Sequence, residues 1–151
     1  MDRRHLEELA RIEDRYWWNI AKAKLVLDLL ARFAPAPGRL VEGGIGACGT
    51  LRRLRDAGYE VVGLDASAEA VAHGASSGLD VRVHDLERPW PIAHASARAV
   101  VMLDVIEHLA DPVAALREAR EALAEDGRLV VTVPAYPWLM GPWDQMLGHR
   151  R

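Results

Sequence analysis

Four short apolar runs in this chain end in, or run straight into, a carboxylate. They are Arg39 to Glu42, Glu60 to Asp65, residues 80–84 before Asp85, and Ala99 to Asp104. The second and fourth carry β-branched and apolar residues without clean alternation, as does a fifth run, Arg128 to Val133, before Pro134. That pattern fits strands covered by helices on both faces. Helical stretches separate most of the runs, and short crossovers between parallel strands are right-handed. We therefore expect an open α/β fold, a doubly wound parallel sheet of five strands in the order 3-2-1-4-5. Such a sheet brings the carboxyl ends of its strands to one edge, where ligands bind. Glu42, Asp65, Asp85 and Asp104 would then meet along that edge.

Local punctuation sets the boundaries. Residues 3–15 read as a short amphipathic helix, with Leu6, Leu9 and Ile12 at helical spacing. A second helix is expected over 19–34, with Ile20, Ala23, Leu27 and Leu30 inward and Lys22, Asp28 and Arg32 off that face. Pro35 and Pro37 stop it. A helix over 49–57 has Gly58 just past its end, where a left-handed cap is wanted. Ser67 is placed to cap the next helix, with Glu69 in its first turn. Asp111-Pro112 opens another, expected to run to about 125 and stop at Gly127.

The 151 residues suit one domain with its own core. A net charge of −3 leaves no basic footprint, so no nucleic-acid partner is expected. Arg52, Arg53 and Arg55 read as the solvated face of a helix. Cys48 stands alone, which excludes an internal disulfide and favours a reducing, cytoplasmic setting. The start, Met1 to Glu7, lacks the apolar core of a signal peptide, and no run approaches the ~20 apolar residues that span a bilayer. No membrane association is expected.

The first strand leads into Glu42-Gly43-Gly44-Ile45-Gly46-Ala47-Cys48-Gly49. Gly44, Gly46 and Gly49 have dinucleotide-binding spacing, follow a strand and open a helix, and Asp65 lies about twenty residues on. Glycines let the backbone approach a ligand, and a carboxylate at 65 accepts hydrogen bonds from ribose hydroxyls. Glu42 separates two cofactors. It would repel a pyrophosphate, whereas it favours the sulfonium and α-ammonium of S-adenosylmethionine.

With an acidic residue ahead of Gly44 and Gly46, the chain resembles the class I S-adenosylmethionine-dependent methyltransferases, in particular those with small-molecule acceptors. The likeness runs over essentially the whole chain, with Cys48 where relatives carry a third glycine. It implies a Rossmann-like fold. It also implies that Glu42, Gly44 and Gly46 border the methionine end, Asp65 and Ala66 the ribose, and Asp85 and Leu86 the adenine. Asp104-Val105-Ile106-Glu107-His108-Leu109 resembles the segment after strand four, beside the methionine moiety and the acceptor. Relatives usually carry Phe-Asp where Ala97-Arg98 stands, so the start of strand four is expected to pack less well. Relatives also continue with two more strands. The resemblance thus implies a cofactor-binding domain over 39–151, C-terminally incomplete, behind an N-terminal helical cap at 1–38.

His108 is the first candidate for a base, because an ordinary imidazole exchanges its proton near neutral pH. Glu107 is a candidate for orienting the methyl donor or the acceptor. Asp104, Glu107 and His108 also suggest a divalent-metal set, which some relatives have with Glu in the first place, but no metal is assigned. Tyr16-Trp17-Trp18 either lies over the cofactor or packs the first helices. Tyr136, Trp138 and Trp143 suit an aromatic acceptor wall or simple packing. Strand five leaves an apolar edge, so a homodimer through it is expected. Two alternatives stay open: a cofactor-binding remnant serving as an interaction module, and an NAD-dependent oxidoreductase.

Overall fold

A computed structural model of the chain describes residues 15–135 and 141. Of the expected helix over 3–15 only Arg15 is described, and Tyr136, Trp138 and Trp143 lie outside the described residues. The described elements run α1 (Trp17–Phe33), β1 (Arg39–Gly43), α2 (Gly49–Asp56), β2 (Glu60–Asp65), α3 (Ala68–Ser76), β3 (Asp80–Val83), β4 (Ala97–Leu103), α4 (Pro112–Ala122) and β5 (Leu123–Thr132).

The strands form one parallel sheet in the order β3-β2-β1-β4-β5. Each central strand feeds alternate side chains to two cores, because successive residues point to opposite faces. Leu40, Ala99 and Val101 join Val26, Leu30, Leu51, Leu54 and Ala70 on the side of α1, α2 and α3. Val41, Leu64, Val100 and Met102 join Ala115, Ala119 and Ala122 on the side of α4. A stripe of alanines lets α4 lie close to the sheet. Trp90 fills the space beside it, its indole N–H donating to the Leu86 carbonyl at 3.0 Å and its backbone N–H to Glu118 at 2.8 Å. Among the described residues no helix is long and apolar enough to cross a membrane.

The caps behave as their residues dictate. The Ser67 hydroxyl accepts from Ala70 N at 3.2 Å, and Asp111 accepts from Ala114 N at 3.0 Å. Gly58 takes the left-handed conformation, φ 97°, past the end of α2. Tyr59 follows it into the core and donates its hydroxyl to the Ala34 carbonyl at 2.8 Å, tying down the end of α1. Burial raises the pKa of that phenol above its ordinary value, against the opposing charge of Arg98.

Four expectations change. First, α4 ends at Ala122 rather than near 125. Its last carbonyls, of Glu121 and Ala122, accept from the N–H groups of Ala95 and Ser96, and Leu123 already pairs with Ala97. Gly127 is no helix stop. It lies inside an irregular stretch of β5, where a Cβ would come within 2.9 Å of the Ala97 carbonyl. Second, β4 begins at Ala97, which is fully buried, and Arg98 lies over Gly38, where a Cβ would come 2.6 Å from Arg98 Cδ. The strand thus starts earlier than expected and is buried there, with Arg98 Nε lacking a hydrogen-bond partner among the described residues and an irregular register between Ala97 and Ala99. Third, α1 buries Ala23, Val26 and Leu30, while Ile20 is exposed and Lys22 turns inward. Fourth, Arg52 and Arg53 are half-buried, and only Arg55 is solvated.

Candidate active site

The chain runs from β1 outward to β3, then returns to the other side of β1 for β4. The crevice opened by that reversal lies at the carboxyl ends of β1 and β4, where such sheets bind ligands. Two cavities occupy it. The larger, about 680 Å³, is lined by Gly44, Gly46, Asp65, Ala66, Asp85, Leu86, Asp104 and His108, with Ser67, Leu103, Val105 and Leu109. The smaller, about 110 Å³, holds Glu42 and lies between the glycine turn and α1. Gly44, Gly46 and Leu103 line both.

The turn between β1 and α2 is built by three left-handed residues and one carboxylate. Gly44 (φ 79°), Gly46 (φ 49°) and Cys48 (φ 66°) reverse the chain. Gly44 N–H donates to the Leu64 carbonyl at 2.7 Å, and Cys48 N–H to the Ile45 carbonyl at 2.7 Å. The Asp65 carboxylate accepts from Ile45 N at 2.9 Å, from Gly46 N at 3.3 Å and from Ser67 N at 2.8 Å. Asp65 therefore joins the turn after β1 to the loop after β2.

Cys48 adopts the conformation that a glycine would take, at a cost of roughly 1–2 kcal/mol. Its side chain is fully buried against α3. Room for it comes from Gly74, where a Cβ would sit 2.9 Å from the sulfur. Gly63 works similarly in β2, since a Cβ there would lie within 3 Å of Ile45, Leu51 and Val81. Sequence spacing gave no sign of either contact, because the neighbours come from three other elements.

At the end of β4, Asp104 is left-handed (φ 54°). Its N–H donates to the Thr132 carbonyl at 3.0 Å, and its carboxylate accepts from the Thr132 hydroxyl at 2.8 Å and pairs with Lys22 Nζ at 2.5 Å. A non-glycine residue held there is strained by of order 1 kcal/mol or more, and such strain clusters at functional sites. Asp85 is exposed and accepts from Glu87 N at 3.0 Å. His108 is exposed at the cleft wall, whereas Glu107 is 1% exposed and lines neither cavity. Among the described residues no three His, Cys, Asp or Glu side chains group closely enough to hold a metal ion. Tyr16, Trp17 and Trp18 contact one another, stay at least half exposed and line neither cavity. Lys22, Asn19 and Arg53, which do line the smaller pocket, were not singled out by the sequence.

A methyltransferase-domain family model matches residues 16–151, nearly all of the chain. The chain belongs to the methyltransferase domain family. This domain is 27% identical over 142 residues to a ubiquinone biosynthesis O-methyltransferase of Xanthomonas axonopodis pv. citri (strain 306), covering 84% of the domain and 59% of that relative. Among solved structures it resembles the protein bound to the Haloferax volcanii Trm112 methyltransferase activator, with a TM-score of 0.68 and 26% identity over 85% of this chain and 59% of that one. It also superposes on Streptomyces venezuelae DesVI with a TM-score of 0.76, covering 93% of this chain and 61% of that one. At 18% identity, that last likeness concerns the fold alone. The domain thus spans about 59% of the curated relative's length.

Proposed function

We propose that this domain binds S-adenosylmethionine and transfers its methyl group to a small-molecule acceptor. The observation that carries the proposal is the pair of cavities joined at Gly44 and Gly46. One ligand laid across the junction would have its nucleoside in the larger cleft and a cationic end beside Glu42. The residues fit such a ligand. Asp65 and Ala66 would meet the ribose, and Asp85 and Leu86 the adenine. Glu42, Gly44, Gly46 and Asp104 would surround the methionine end. At Gly46 a Cβ would meet nothing within 4 Å, so the backbone faces open space. Glu42 is 3% exposed at the pocket wall, a poor neighbour for a pyrophosphate, which weighs against the nicotinamide alternative.

The bound cofactor would supply a methyl carbon already activated by its sulfonium. What remains for the protein is to position the acceptor and take up a proton. His108, exposed at the cleft wall, would take that proton from the acceptor. The 27% likeness to a ubiquinone biosynthesis O-methyltransferase makes a hydroxyl oxygen the first acceptor atom to try. In this reading residues 1–38 cap the cofactor domain, and α1 already contributes Asn19, Lys22 and Ala23 to the smaller pocket.

Calorimetry with S-adenosylhomocysteine, with NAD as the control ligand, tests the cofactor. Micromolar binding of the first and none of the second is expected. In turnover assays with a panel of hydroxyl compounds, His108→Gln should lower kcat about 10²- to 10⁴-fold while leaving cofactor affinity within a few-fold. Cofactor binding with no turnover on any acceptor would favour the interaction-module reading instead. We also propose that the β5 edge pairs two copies of the chain, since Leu129 and Val133 there are 38% and 48% exposed. Light scattering at high concentration should then give a dimer, and a clean monomer would refute it.

A further inference from the structure

The Asp104 carboxylate is held on both of its oxygens. Thr132, the last residue of β5, donates its hydroxyl to Oδ1 at 2.8 Å, and Lys22 of α1 pairs with Oδ2 at 2.5 Å. The side chain is still 36% exposed and lines the larger cleft, and a carboxylate oxygen can accept more than one hydrogen bond. Among the described residues no β5 side chain lines either cavity. Thr132 can therefore reach the cleft only through Asp104.

The hydroxyl is not needed to pair the strands. Leu103 is in register with Thr132, and Asp104 N–H already donates to the Thr132 carbonyl at 3.0 Å, with the hydroxyl at 3.2 Å as a second, longer acceptor. What the hydroxyl adds is direction. The last torsion of an aspartate is broad, so the carboxylate does not fix its own orientation. Lysine holds it from the end of a long, flexible stem. Threonine is branched at Cβ and restricted in χ1, so its hydroxyl has a set place on the sheet. The left-handed backbone of Asp104 (φ 54°) agrees, since such strain persists where the surroundings fix a residue, and it clusters at functional sites.

We propose that Thr132 is a positioning residue for this site. Its hydroxyl aims the Asp104 carboxylate into the cleft, and Asp104 in turn meets the ligand. β5 thereby acts on the site without lining it. This rests on the cofactor reading given above, in which Asp104 borders the methionine end.

The test is a double-mutant cycle on the full chain, read by calorimetry with S-adenosylhomocysteine. Valine keeps the branched shape and strand preference of Thr132 and removes the hydroxyl. Glycine at 104 accepts the left-handed backbone and removes the carboxylate. Thr132→Val should weaken binding about 10-fold, the effect of one hydrogen bond to a charged group. Thr132→Ser, which keeps the hydroxyl, should stay within about 3-fold of wild type. In Asp104→Gly the same Thr132→Val change should matter less than about 2-fold, because no carboxylate is left to aim. A merely structural threonine would lower affinity by the same factor in both backgrounds, and that result overturns the proposal. So does unchanged affinity in Thr132→Val. Thr132→Ala serves the same cycle should Thr132→Val fail to fold. Should Asp104→Gly bind too weakly to compare, urea unfolding of the same four proteins decides, since strictly additive losses of stability would show that the two side chains are not coupled. If wild type does not bind S-adenosylhomocysteine, the cofactor reading itself falls, an outcome seen before any variant is compared.

Discussion

Asp65→Ala is expected to abolish binding of S-adenosylhomocysteine and to unfasten the glycine turn at the same time. The carboxylate accepts from Ile45, Gly46 and Ser67 backbone N–H groups. Hydrogen bonds to a charged acceptor contribute about 1.5–3 kcal/mol each, and three that share one carboxylate will not add fully. A loss of about 3 kcal/mol in the local order of the turn is therefore expected before any ribose contact is counted. Affinity should fall by more than about 100-fold. Amide exchange at Ile45, Gly46 and Ser67 should speed up without ligand. Asp65→Asn should lie between, since one amide oxygen can still accept while the amide nitrogen cannot. Micromolar affinity retained in Asp65→Ala would refute both roles.

Gly44→Ala and Gly46→Ala should fail in different ways, though only Ile45 separates them. At Gly44 (φ 79°) a Cβ would overlap Val105 Cγ2, on the segment that carries Asp104 and His108. Left-handed backbone costs alanine about 1–2 kcal/mol, and overpacking typically costs about 1–3 kcal/mol more. Against a typical total of about 5–15 kcal/mol, that is a large fraction of the stability. A clear drop in Tm is expected, and Val105→Ala in the same chain should recover the overlap part. At Gly46 (φ 49°) nothing lies within 4 Å of the added carbon, so only the backbone cost remains. The methyl would instead enter the space in which the proposed ligand would lie. Gly46→Ala should keep most of its Tm and lose most of its affinity. Thermal unfolding beside calorimetry separates the two, and equal losses of stability would refute the assignment of Gly46 to the ligand face.

Much of this was legible from local rules. The strand ends, the glycine turn and the caps at Ser67 and Asp111 each depend on residues a few positions apart, which is the range over which capping and turn chemistry operate. What escaped depends on distant neighbours. The end of α4 is set by Ala95 and Ser96, 26 residues upstream of the carbonyls they meet. The inward turn of Lys22 follows from which stripe of α1 the sheet accepts. Ala23, Val26 and Leu30 are buried, in place of a stripe beginning at Ile20, and that small rotation carries a lysine from solvent to the site. Gly63 and Gly74 looked like ordinary small residues until Ile45, Val81 and Cys48 were found against them.

The fit of Cys48 against Gly74 gives the chain a built-in reporter. The only thiol in the sequence is sealed at 0% exposure behind the turn that would hold the ligand. An alkylating reagent can reach it only when that turn lifts away from α3, so its labelling rate follows the opening of this one region. A ligand that clamps the turn should slow labelling in proportion to its occupancy. Potential cofactors could therefore be ranked by a mass shift on unmodified protein, before any acceptor is known.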